Sequence, residues 1–271
     1  MPQLQPRAEL PPVQSQEDVE KHKRKLREKA RKERGMDLKA FNFGFVGNAG
    51  SGKSFLLNNL SQRAPDDPEA APAGTTETTQ QVEAYPHPMY RHIVYWDLPG
   101  GGTDAHGAAT YYMNKTLYAF DCLIICTAGR FTELDTAIAR KAREDNVPFV
   151  FVRTKSDVDL DADARKFKKS VPEIKCRYRE SIVTEFKRLV GNLADDHEIY
   201  VVSNVFMAGE DGFQVYALDE AELVVHIFTT ARNRRHASQE ECKDYWREVV
   251  GEYMTASDLC NWIGTLTVSL P

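Results

Sequence analysis

The chain is predicted to adopt an α/β fold, a mostly parallel six-stranded sheet between helices, and three observations predict it. Apolar runs of strand length, "AFNFGFV", "RHIVYWD", "DCLIICT", "VPFVFVR" and "EIYVVS", alternate with stretches of helical character. The first run leads directly into G-x-x-x-x-G-K-S at residues 47–54 and then into a leucine-rich segment, a strand–loop–helix order. With 271 residues the chain can bury a substantial core, as one domain with appendages or as two small ones.

Taken in order, residues 1–16 are rich in proline and glutamine and read as a disordered lead. "EDVEKHKRKLREKARKER" holds good helix formers but few apolar residues, Val19, Leu26 and Ala30. It predicts a mostly exposed basic helix ending near Gly35, resting on the domain by a thin apolar stripe. Its cations also suit anionic lipid, so peripheral membrane contact is a second expectation. Helical stretches are expected near 52–61, 132–146, 164–190 and 218–233, and "TTQQVEAY" supplies an edge strand before "RHIVYWD". After residue 236, Ser238 and Glu241 form a plausible capping box, and "ASDLCNWIGTL" is apolar enough to dock.

Charge and composition narrow the class. Lys and Arg total 35 against 40 Asp and Glu, a net charge of −5 that argues against general nucleic-acid binding. Five cysteines, at 122, 126, 176, 242 and 260, show no C-x-x-C pairing and suit a reducing compartment. No apolar stretch approaches the roughly 20 residues of a membrane span, and no signal peptide opens the chain. Pro2 rules out N-myristoylation. The expected location is cytoplasmic, with peripheral membrane association through the basic helix as an addition.

The chemistry begins in the loop Gly47-Asn48-Ala49-Gly50-Ser51-Gly52-Lys53-Ser54. Glycines permit close backbone approach, so successive N–H groups converge on an anion at a helix N-terminus. Lys53 then reaches the β- and γ-phosphates and the Ser54 hydroxyl ligates Mg²⁺. In "HIVYWDLPGGGT", Asp97 ends a strand where it holds a Mg²⁺ water, and Gly100 swings its N–H toward a γ-phosphate.

"FVFVRTKSD" ends in Thr154-Lys155-Ser156-Asp157. A carboxylate at Asp157 accepts the N1–H and 2-amino group of guanine, while Lys155 lies along the purine. Adenine offers neither donor, and sites of this kind reject the wrong partner by factors on the order of 10⁴–10⁵. Ser203 and Asn204, ending "IYVVSN", are placed to give backbone donors to the guanine carbonyl. These features together read as a GTPase domain taking GTP or GDP with Mg²⁺. It spans residues 38–235, after a lead and basic helix at 1–37 and before a short helical extension at 236–271. An ATP-dependent enzyme is the reading that T-K-S-D argues against.

With GNAGSGKS, TTETT, WDLPGGGT, RTKSD and VVSN in this order, residues 40–230 resemble the immunity-related, interferon-inducible GTPases. "YPHP" before "IVYWDLPG" and the threonine opening T-K-S-D are especially similar. The resemblance implies a Ras-like P-loop GTPase fold and a homodimer through the G domain that activates hydrolysis. It implies that Thr79 reaches Mg²⁺ from the first switch and that Glu77 contacts the partner's nucleotide. Catalysis would then rest on Lys53, Thr79, Gly100 and Glu77. Some seventy residues follow Ser203, so at most a reduced form of the family's helical domain is expected. Gly101 stands where Ras-type enzymes hold a water-orienting glutamine. Slow intrinsic turnover is expected, and the alternative is a scaffold that binds guanine nucleotide without significant hydrolysis.

Overall fold

In the computed structural model, residues 16–64, 66–73, 81–90, 92–101, 105–193, 199–204 and 216–238 are described. Each apolar run becomes a strand: β1 (Phe41–Val46), β3 (Ile93–Asp97), β4 (Cys122–Thr127), β5 (Phe149–Arg153) and β6 (Ile199–Val201), with β2 (Glu83–Pro86) as the expected edge strand. The order is β2-β3-β1-β4-β5-β6. Only β2 pairs antiparallel, with β3; the remaining pairings are parallel. Strands buried on both faces need no alternation, which is why β1, β4 and β5 read as continuous hydrophobic runs.

Helices cover both faces: α1 (Gln16–Glu33), α2 (Lys53–Leu60), α3 (Ala105–Asn114), α4 (Glu133–Glu144), α5 (Ser156–Phe167), α6 (Val171–Val190) and α7 (Glu220–Ser238). One apolar layer joins α2 and α7 to the sheet through Leu57, Leu60, Leu223 and Ile227. The other gathers Tyr112, Ile138, Phe151 and Phe186 beneath α3, α4 and α6.

Three differences from expectation have clear causes. The stretch expected as one helix at 164–190 is two. Lys168 takes a left-handed φ of 54°, and a Ser170–Glu173 capping box with a proline in the first turn restarts the chain as α6. Helix α3 follows the glycine-rich loop, where its mixed composition offers no clear period. The third concerns α1. Val19 and Leu26 are exposed at 37% and 44%, so of the expected apolar stripe only Ala30 is buried.

Helix α1 instead docks through arginines. Arg31 donates to the Ala119 carbonyl at 2.6 Å and to Asp121, while Arg27 reaches the Tyr118 carbonyl and Arg34 the Lys115 carbonyl. Those carbonyls belong to the chain around a short 3₁₀ turn, Leu117–Ala119, whose backbone acceptors lack helical partners.

Both outer edges of the sheet are managed. The Val201 N–H donates to the Asp219 carboxylate at 2.9 Å, and the Asp219 N–H returns to the Val201 carbonyl at 3.0 Å. At the other edge β2 is four residues long and ends in proline. The lead at 1–15, the loop at 74–80, and residues 239–271, with Glu241 of the expected capping box, lie outside the described residues. No described helix is long and apolar enough to cross a membrane.

Candidate functional site

At the C-terminal end of β1 the chain turns sharply. Gly47 has φ 140°, and a Cβ there would sit 2.2 Å from the Cys126 carbonyl oxygen on β4, so only glycine passes. Gly50 and Gly52 also have positive φ, at 72° and 80°, and α2 starts at Lys53. This curls the backbone of 47–52 around the N-terminus of α2, where amide groups and the helix dipole both favour an anion.

Lys53 lies across that curl. Its ammonium donates to the carbonyls of Gly47 at 3.3 Å and Asn48 at 3.0 Å, and the residue is buried. The neighbouring Ser54 hydroxyl donates to Asp97 Oδ2 at 2.6 Å. The parallel register that aligns Phe45 with Asp97 delivers this carboxylate to the same end of the sheet, fully buried.

The loop after β3 closes against the same curl. Gly100 approaches so nearly that a Cβ would fall 2.5 Å from the Ala49 nitrogen. The Gly101 N–H points to the Gly47 carbonyl at 3.4 Å, and a Cβ on Gly101 would meet Leu134 of α4 at 2.3 Å. A side chain at residue 101 would therefore require Leu134 to shift.

Helix α4 is tied to the phosphate loop from its own N-terminus. Thr132 and Asp135 form a capping box, and the Asn48 amide donates to the Thr132 hydroxyl at 3.2 Å. Burial raises the Asp135 carboxyl above the usual range, while its bonds to Thr132 oppose that shift.

On the far side of the loop, the Thr154 hydroxyl donates to the Ser51 carbonyl at 2.7 Å, so the first residue of T-K-S-D braces the phosphate loop. Lys155 takes a left-handed φ of 58° immediately before α5. Its N–H donates to the Asn204 side-chain oxygen at 3.3 Å, and the Asn204 N–H donates to Asp157 Oδ1 at 2.6 Å. A carboxylate has about four acceptor positions, so Asp157 retains capacity for a base while holding Asn204.

The structure thus brings together residues 47–54, Asp97, Gly100, Thr154, Lys155, Asp157, Ser203 and Asn204 at the C-terminal ends of the parallel strands, where open α/β sheets bind ligands. Glu77 and Thr79 lie outside the described residues. Ser203 and Asn204 differ from expectation in role. Their N–H groups, expected to face a guanine carbonyl, go to Glu220 at 2.7 Å and to Asp157. Physically, a carboxylate beside an unpaired amide captures it, buried at Glu220 and half-buried at Asp157.

Sequence reasoning missed Leu134, Thr132 and Asp135, as well as the pair Asp219 and Glu220. "LDEAE" ahead of an apolar segment is a helix-start signal and was the available cue for that last pair. Cys122 and Cys126 are buried in β4, and burial pushes the Cys126 thiol well up, as befits an inert side chain. His226 is half-buried, its Nδ1 2.7 Å from the Tyr200 hydroxyl.

The residues present fit a nucleotide with its cation. The cradle at Gly47 admits no side chain, and Lys53 stands over it. Ser54 and Asp97 offer two hard oxygen ligands, the number from which Mg²⁺ is held jointly with phosphates and water. Among the described residues no cluster of three or more His, Cys, Asp or Glu could hold an ion.

The sequence matches the family model described as interferon-inducible GTPase over residues 18–226. The chain belongs to the interferon-inducible GTPase family. The match begins ahead of the sheet and takes in most of α1. Interferon-inducible GTPase 5 of Bos taurus is 31% identical over 218 residues, covering 80% of this chain and 45% of that one. T-cell-specific guanine nucleotide triphosphate-binding protein 2 of Mus musculus is 34% identical over 171 residues, covering 61% and 40%. This interferon-inducible GTPase family member therefore spans less than half the length of the curated relatives it matches. Among solved structures it is similar to Aquifex aeolicus Era bound to GDP and tetrafluoroaluminate. That likeness has a TM-score of 0.43 and 20% identity over 71% of this chain and 57% of that one, too distant to add to the family assignment.

Proposed function

We propose that this protein binds GTP with Mg²⁺ and hydrolyses it to GDP and phosphate, faster when two G domains pair. The observation that carries the reading is the Ser54–Asp97 contact at 2.6 Å, beside Lys53 on one side and Gly100 on the other. Family membership and the guanine-nucleotide relative support it.

Each residue has a part. Backbone amides of 47–52 and the Lys53 ammonium bind the β- and γ-phosphates, and Ser54 and Asp97 hold the cation. The cation, when bound, neutralises charge building on the transferring phosphoryl group. Gly100, packed on Ala49, senses whether the γ-phosphate is there, and Thr79 completes the metal's ligands. Asp157 selects guanine, with Lys155 along the ring.

A side chain at residue 101 would have to displace the Leu134 Cδ2 methyl, and the glycine there supplies no water-orienting group. Such positioning groups contribute on the order of 10³–10⁵ in rate, so the lone molecule turns over slowly. Glu77, contributed across the dimer, supplies what residue 101 lacks. The packing at Gly101 also favours a second reading, a scaffold that holds guanine nucleotide without hydrolysing it. Turnover per molecule, measured over a wide range of protein concentrations with Mg²⁺, separates them. A rate that climbs with concentration, and no longer climbs in Glu77→Ala, supports the dimer-activated enzyme. A flat, near-zero rate despite tight guanine-nucleotide binding leaves the scaffold.

Helix α1 turns arginines inward and leaves Lys21, Arg24, Lys25, Lys29 and Lys32 exposed. We propose that this outer face meets anionic lipid on the cytoplasmic side of a membrane. Co-sedimentation with phosphatidylserine vesicles tests it, and equal recovery with neutral vesicles would sink it.

A further inference from the structure

The Glu220 carboxylate is buried, yet it sits at the surface end of α7 facing the base-side loop. It accepts from the Ser203 N–H at 2.7 Å, from the Ser203 hydroxyl at 3.0 Å and from the Leu218 N–H. One residue further along, the Asn204 N–H holds Asp157 Oδ1 at 2.6 Å, and the Asn204 side chain takes the Lys155 N–H. An unbroken set of contacts therefore runs from α7 through Ser203 and Asn204 to the group that reads the base. Asp219, its neighbour, is bound differently: its carboxylate takes the Val201 N–H on β6 and pairs with Arg179 on α6.

We propose that Glu220 is a positioning residue for guanine selection, fixing Asp157 through the Ser203–Asn204 turn. It touches no base itself. The inference rests on the assignment of Asp157 to the base and extends it to a second carboxylate and another helix.

The reasoning is geometric. A carboxylate aimed at two adjacent donors of a purine must be held to within a small angle, or it reads one donor and not both. Asp157 lies in the first turn of α5, and its carboxylate is held there by the Asn204 N–H. That turn is otherwise anchored by the Val202 N–H to the Arg153 carbonyl and by Ser203 to Glu220. Replacing Glu220 by glutamine turns one acceptor oxygen into an NH₂ facing protein donors, so the turn must move.

Guanine and hypoxanthine differ only by the 2-amino group, so the ratio of GDP to IDP affinity reports how well Asp157 is aimed. The test measures both affinities by nucleotide titration for the intact protein, Glu220→Gln, Asp219→Asn and Asp157→Ala, with thermal unfolding alongside. The intact protein should favour GDP. Glu220→Gln should lower that preference by about tenfold, the scale of one lost buried hydrogen bond. Asp219→Asn should lower the unfolding temperature and leave the preference in place.

The outcomes separate two failures. If Asp157→Ala retains the preference for GDP, the base assignment itself is wrong. If Asp157→Ala abolishes it while Glu220→Gln preserves it, Asp157 reads the base and Glu220 does not position it. Equal weakening of GDP and IDP in Glu220→Gln would likewise overturn the proposal, leaving Glu220 a stabilising contact only.

Discussion

The Arg31 guanidinium lies 2.7 Å from the Asp121 carboxylate, with the two side chains 8% and 1% exposed. The other Asp121 oxygen accepts the Asn42 N–H at 2.8 Å, and the Asn42 side-chain oxygen accepts from the Trp96 indole at 2.9 Å. A helix that reads as a loose basic appendage is thus joined by a buried ion pair to the entry of β1 and to the residue before Asp97.

Arg31→Ala should destabilise the protein by about 3–5 kcal/mol, because Asp121 is left as a buried charge without its cation. Urea unfolding measures this directly. The double variant Arg31→Met with Asp121→Asn should recover part of the loss, since it removes both charges and keeps an acceptor for Asn42. If Arg31→Ala costs no more than an exposed pair, the docking of α1 is not a stabilising contact.

His87 gives the fold a dependence on acid. It is buried at the turn after β2, its Nδ1 accepting from the N–H groups of Met89 at 3.2 Å and Tyr90 at 3.3 Å. Burial, with the Arg63 charge adding to it, lowers its pKa from 6.5 to about 4. The unfolded chain then binds a proton that the folded chain refuses between those values. This contribution to stability is therefore complete above pH 6.5 and lost as the pH falls toward 4, by up to about 3 kcal/mol. His87→Asn, which keeps an acceptor and does not titrate, should flatten the stability curve across that window.

Placing a glutamine at residue 101 should not create a fast enzyme. Its Cβ would collide with Leu134 Cδ2 at 2.3 Å, and overpacking of this sort costs roughly 1–3 kcal/mol. Gly101→Gln should lower the unfolding temperature and leave single-molecule turnover unimproved. Adding Leu134→Ala should recover stability. A large rise in turnover from Gly101→Gln alone would contradict the packing account.

Base choice should follow one atom. Guanine presents two donors to the Asp157 carboxylate, whereas xanthine presents N1–H and a carbonyl. Asp157→Asn supplies one acceptor and one donor, so it should exchange preference from GDP to XDP. Competition between the two diphosphates reads the outcome, and retained GDP preference would remove Asp157 from the base site.

Much of this was legible because parallel strands and phosphate loops are local statements. "AFNFGFVGNAGSGKS" contains its own strand, turn and helix start, Asp97 ends an apolar strand, and Asp157 follows another by one short turn. The rest depended on partners distant in sequence. Nothing near Gly101 announces Leu134, and nothing near Ser203 announces that Glu220 would take its N–H. Arginine at 27, 31 and 34 reads as solvated charge until the carbonyls at 115, 118 and 119 are placed against it.

The pair of hydrogen bonds between Val201 and Asp219 bears on how the molecule behaves in a crowd. A sheet of such apolar strands, open at β6, would invite the same strand of another copy to add on, the first step toward fibrous aggregates. Asp219 occupies the donor and acceptor that a foreign strand would use, and it does so with a negative charge. Short β2, with Glu83 and Pro86, closes the opposite flank in its own way. The sheet therefore offers other copies little edge to pair with, whatever partner the molecule meets.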